Sequence, residues 1–158
     1  MADKRFWLGI LAMVLVFGMT VVGCDNGTTD KDEDGLNGTW ITSSMGLLAE
    51  IKFNNGNYET FTNGKAGIQA TYTISGNRIT LKVSRIHGEY IGLMGYEVDS
   101  KWYSFSLELK MALMEYMTEE ETNDFVNQMF SQQTFEYSVN GNTLYITTMG
   151  ETITYTRK

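Results

Sequence analysis

The sequence predicts a mainly β protein, an antiparallel up-and-down barrel of about eight strands with a helical insertion at about 101–130. Three observations carry this. Apolar and polar residues alternate over short runs on both sides of the insertion, and Asn- and Gly-rich pairs separate those runs. Between the two sets of runs the apolar spacing changes to a helical one. Alternation gives each strand one core face and one solvent face, and closing the sheet leaves no exposed strand edge.

The folded part is expected to begin near Leu36. Leu47, Ala49, Ile51 and Phe53 alternate with Leu48, Glu50 and Lys52, and a turn at Asn54-Asn55-Gly56-Asn57 leads into the next strand at Tyr58. A second turn at Asn63-Gly64-Lys65 precedes Ile68, Ala70, Tyr72 and Ile74, which alternate with Gln69, Thr71, Thr73 and Ser75. Ser75-Gly76-Asn77 turns the chain into Ile79, Leu81 and Val83. The pattern resumes with Phe135, Tyr137 and Val139, then Leu144 and Ile146, then Ile153, Tyr155 and Arg157 on one face of the last strand. Asn and Gly occupy the turns because two-residue hairpins need positive φ. The stretches 70–82 and 135–147 echo each other, with Tyr72 matching Tyr137 and Gly76-Asn77 matching Gly141-Asn142. Convergence of two hairpins on one turn explains the echo more simply than duplication.

Residues 88–99 are Gly-rich and apolar. From there Trp102, Phe105, Leu109, Leu113 and Tyr116 follow helical spacing, although Tyr103, Phe105, Leu107 and Leu109 also alternate. A helix from about Ser104 is preferred, because Leu, Glu, Lys, Met and Ala dominate there. Thr118 with Glu121 three residues on forms a capping-box pattern for a second helix. Glu119, Glu120 and Glu121 suit its N-terminal dipole, and Phe125, Val126, Met129 and Phe130 its buried stripe.

Of the 158 residues, 42% are hydrophobic and 20% charged, ordinary values for a globular chain, and none is proline. The formal charge is −7, and residues 1–23, with Asp3, Lys4 and Arg5, leave the remainder near −8. Such a surface repels phosphate, so no nucleic-acid partner is expected. The basic start MADKR, the uncharged apolar stretch 6–22 and the small Gly23 make a secretory signal. Stretch 6–22 is slightly short for a membrane span, and Gly9 and Gly18 weaken it.

Val21-Val22-Gly23-Cys24 resembles the bacterial lipobox. That resemblance implies cleavage between Gly23 and Cys24, acylation of Cys24 and a lipid anchor in a membrane of the cell envelope. Two or three acyl chains would hold the protein there almost permanently, at ~0.8 kcal/mol per buried methylene. Asp25 resembles an inner-membrane retention signal of some two-membrane bacteria, or it simply opens the acidic spacer, so inner and outer membrane both stay open. Residues 24–35 then form a solvated acidic tether, and 36–158 the single folded domain.

Gly38-Thr39-Trp40 at the start of the first strand resembles the Gly-x-Trp motif of lipocalins and related calycins. In that family the Trp closes one barrel end against a basic residue from a late strand, a role that falls here on Trp40 and Arg157. The Thr-Asp-Tyr-type turn of that family is absent, and the insertion departs from its single C-terminal helix. The resemblance implies a barrel that holds one small ligand or is filled by its own side chains.

Little points to catalysis. His87, the one histidine, reads as a surface residue at a strand end, and the alternating Asp30, Asp32 and Asp34 lack the rest of a calcium loop. Neither phosphate loops nor nucleophile motifs occur. No enzymatic role, cofactor or metal is therefore expected. Two functions remain. In one, the barrel holds a small apolar or amphipathic ligand, with Tyr58, Tyr72, Leu81, Tyr137 and Tyr155 facing inward. In the other, a filled barrel presents the 101–130 insertion to an envelope protein. The Met and aromatic content of that insertion suits either a lid or a partner surface.

Overall fold

A computed structural model describes residues 35–44, 46–148 and 150–158. Gly23, Cys24 and the tether as far as residue 34 lie outside them. The described elements share one buried core, which runs from Leu36 to Tyr155.

Five strands form an antiparallel meander: β1 (Gly38–Ser44), β2 (Leu47–Asn54), β3 (Asn57–Thr62), β4 (Lys65–Ser75) and β5 (Arg78–His87). After the insertion come β7 (Gln132–Asn140), β8 (Thr143–Thr148) and β9 (Glu151–Arg157), again antiparallel. β7 joins β5 from Arg78↔Glu136 to Lys82↔Gln132. β9 returns to β1 through Trp40↔Arg157 and Ile41↔Thr156. The result is a closed eight-stranded antiparallel barrel, lipocalin-like in architecture. A ninth strand, β6 (Trp102–Tyr103), takes the edge of β5 beyond β7, with Ile86↔Tyr103 and His87↔Trp102.

The turn chemistry explains the meander. Asn55 and Gly56 both have positive φ, 48° and 86°, and so do Asn63 and Gly64, 50° and 79°. Two successive positive values are what a tight hairpin needs to match strand twist. Alternation then sorts the side chains. In β5 Ile79, Leu81 and Val83 are buried, whereas Arg78, Lys82 and Ser84 are exposed.

The two barrel ends differ. One end gathers both chain ends of the domain with the turns after β2, β4 and β7. The other carries the β3–β4 turn and the insertion. The insertion contains α1 (Gly88–Leu93), α2 (Leu107–Leu113) and α3 (Glu119–Met129). It therefore departs from the expected 101–130: its first helix begins at Gly88, straight out of β5. The second helix starts at Leu107 behind an N-cap at Ser106, not near Ser104, because Tyr103 is held in strand pairing and buried. α3 has the expected capping box. Thr118 Oγ1 accepts from the Glu121 N–H at 3.3 Å, and the Glu121 carboxylate accepts from the Thr118 N–H at 2.9 Å.

His87 is not a surface residue. It caps α1, its Nδ1 accepting from the Glu89 N–H at 3.3 Å, and it meets Trp102 edge-on at 4.9 Å. Gly88 follows because a Cβ there would strike the Asp99 carbonyl. That close approach lets the chain double back, with the Gly88 N–H donating to the Lys101 carbonyl at 2.8 Å.

Candidate functional site

At the termini end the interior is closed. Trp40 is fully buried and its Nε1–H donates to the Leu36 carbonyl at 2.8 Å. The Arg157 guanidinium lies 4.1 Å from the Trp40 ring centroid. Its Nη1 donates to the Asn37 carbonyl at 2.7 Å, and its Nη2 to the Gly35 carbonyl. Thus Arg157, facing inward by strand alternation, has its charge covered by a ring and two carbonyls. Gly38 has φ 139°, and a Cβ on it would lie 2.5 Å from Arg157 Nη1. The Gly of Gly38-Thr39-Trp40 is therefore required by the arginine. Asn37 ties this end further, its Oδ1 accepting from the Tyr72 hydroxyl and from the Asn55 N–H, each at 3.0 Å.

Above this plug Phe53 meets Tyr58 at 5.1 Å and Tyr72 at 5.2 Å between ring centroids. Tyr72 and Tyr137 are likewise buried in the core, and neither lines the cleft walled by Tyr58, Leu81 and Tyr155. That cleft lies toward the insertion end, holds about 60 Å³ and includes Ile51, Thr60 and Gln133 in its wall. Burial pushes the phenol of Tyr155 up to about 12, and that of Tyr58 well above its ordinary range, the latter helped by the nearness of Tyr155 and Tyr90. Burial alone also raises Tyr90. These hydroxyls are neutral hydrogen-bonding groups across the neutral range. Alternation signals such inward tyrosines; Tyr90 comes from α1 and was beyond that signal.

The insertion covers part of the same end. Tyr90 and Ile91 of α1 are buried against β4 and β5. Leu109 and Leu113 of α2 and Val126 and Met129 of α3 are all buried, and the two helices are in contact. The other face of α2 is open. Leu107 is 71% exposed, Met111 62% and Met114 44%, at the i, i+4, i+7 spacing of one helical stripe. Phe105 and Tyr116, just before and after α2 in the chain, are 54% and 43% exposed, Phe105 against the Phe130 ring at 5.7 Å and Tyr116 against that of Tyr96 at 5.9 Å. Both follow helical spacing with Leu109 and Leu113 in the sequence, but they lie just outside α2, where that spacing does not govern them. Leu48 is the other exposed large hydrophobic among the described residues.

No group of three or more His, Cys, Asp or Glu that could hold a metal occurs among the described residues. None of their helices is long and apolar enough to cross a membrane. No protein-family model matches the chain, and neither does any curated protein. A crystal structure of an uncharacterized protein from Bacteroides eggerthii is similar over 78% of this chain and 99% of that one, with 12% identity and a TM-score of 0.34.

Proposed function

We propose that the protein is a lipid-anchored, non-enzymatic interaction module of the bacterial cell envelope. Cys24 carries the anchor, the acidic tether spaces the domain from the bilayer, and the filled barrel is a rigid stand for the insertion. The observation that carries this reading is the open apolar face of α2, with Phe105 and Tyr116 flanking it in the chain. A monomer gains nothing by leaving Leu107 and Met111 in water, and contiguous patches of this kind mark binding surfaces. Carriage of a small apolar or amphipathic molecule is the other function suited to such a barrel. A cleft of about 60 Å³ gives it weaker support, since small-molecule pockets run to ~300–1,000 Å³.

The test uses intact cells. A photocrosslinking residue replaces Met111 in one variant and Lys82, on the exposed barrel wall, in another. Met111 should yield a discrete adduct with an envelope protein and Lys82 none. Absence of an adduct at Met111, or equal adducts at both, would remove the reading. Cys24→Ala should abolish labelling by a fatty-acid analogue; undiminished labelling would remove the anchor.

A further inference from the structure

Charge is partitioned unevenly over the folded domain. Residues 88–131 carry nine carboxylates (Glu89, Glu97, Asp99, Glu108, Glu115, Glu119, Glu120, Glu121 and Asp124) against Lys101 and Lys110. The remainder of 36–158 carries four carboxylates against seven Lys and Arg. Within the insertion the cations are engaged. Lys101 Nζ lies 2.6 Å from Glu108 and 3.4 Å from Asp99, and Lys110 Nζ donates to Asn123 at 2.7 Å and sits over the Phe105 ring. The insertion thus carries a surplus of negative charge; next to the apolar stripe, Glu108, paired with Lys101, and Glu115, just past the end of α2, are both exposed, and Lys110 is the cation on that side.

We infer that this face docks a protein surface with an apolar centre and a rim of lysine or arginine. The inference rests on the interaction reading above and names the chemistry of the partner. Apolar contact at the centre supplies affinity, and opposite charge at the rim steers the encounter and rejects wrong partners. A second copy of this chain would bring acidic rim against acidic rim. An anionic bilayer meets the same repulsion. It is also poorly placed, because the tether enters the domain at Leu36, at the barrel end remote from the insertion. β4 alone, with 11 residues, spans ~35 Å at strand rise. The stripe leaves on the order of 500 Å² uncovered, the size of a transient interface rather than an obligate one.

The test titrates residues 25–158, isotope-labelled, with a synthetic amphipathic helix of leucine and lysine and with its leucine–glutamate counterpart. The lysine peptide should bind about tenfold or more tightly than the glutamate one, less so as salt rises, with shift changes confined to α2 and its flanks. Glu108→Gln combined with Glu115→Gln should weaken it about tenfold, and Met111→Ser likewise. Both sites are exposed, and an unchanged circular dichroism spectrum will show that the variants fold. Equal affinity for the two peptides overturns the inference. So does self-association, or binding to phosphatidylglycerol vesicles, that Met111→Ser abolishes. A discrete cellular adduct at Met111 combined with indifference to charge would leave the interaction reading standing while this inference falls; no adduct at all removes the reading itself.

Discussion

Replacing Trp40 by Ala removes a fully buried indole from the closed barrel end. Truncating a buried aromatic to Ala costs ~3–5 kcal/mol, from lost transfer energy and the cavity left behind. The Leu36 carbonyl also loses its donor, a loss of ~1 kcal/mol if water does not replace it. Arg157 keeps its bonds to the Asn37 and Gly35 carbonyls and loses the ring beneath it, a term of ~0.5–2 kcal/mol. Against a total stability of ~5–15 kcal/mol, the domain should fold with a urea midpoint reduced by a third or more, or not fold at all. Far-ultraviolet circular dichroism follows the transition without depending on the tryptophan removed. Trp40→Phe keeps the domain folded if Ala does not, and a cycle of Trp40→Phe with Arg157→Met isolates the stacking. A coupling of ~0.5–2 kcal/mol is expected. A cost below ~1 kcal/mol for Trp40→Ala, or additive effects in the cycle, would show that the Trp40–Arg157 pair does not hold this end.

Further outcomes follow from single residues. Tyr58, Tyr90 and Tyr155 have phenols raised by burial, so between their unfolded and folded values the unfolded chain loses protons that the native one keeps. Their contribution is complete below about pH 10 and is lost above it, at ~1.4 kcal/mol per pH unit for each phenol. Urea midpoints measured from pH 8 to 11 should fall only at the alkaline end; a flat profile contradicts the burial. Thr118→Ala breaks the capping box of α3 and should cost ~0.5–2 kcal/mol by urea unfolding, with Thr118→Ser restoring most of it. Gly88→Ala drives a methyl into the Asp99 carbonyl, so amide exchange should accelerate through α1 and β6. Unaltered protection there would mean that the close approach is not needed.

The barrel was legible because its signals are local. Each hairpin carries Asn or Gly where φ turns positive, and each strand shows its core face by alternation, down to Arg157 on the inner side of β9. Capping at Thr118 was legible for the same reason. α1 was not: GEYIGL has glycine and β-branched residues, and its helix depends on the His87 cap and on burial of Tyr90 and Ile91. Nor could α2 show which face would stay in water, because Leu107, Leu109, Met111, Leu113 and Met114 surround it with apolar side chains. Only tertiary packing decides that Leu109 and Leu113 join the core. Alternation likewise puts Tyr72 and Tyr155 inside without saying that only the second lines the cleft.

The most direct measurement is the native mass of residues 25–158, produced without the lipid. A filled barrel serving as a stand for the insertion predicts the bare polypeptide mass, with no passenger in solvent extracts of the purified domain. A stoichiometric apolar passenger, released on extraction, would contradict that account and make the interior of the barrel, rather than the face of α2, the working site.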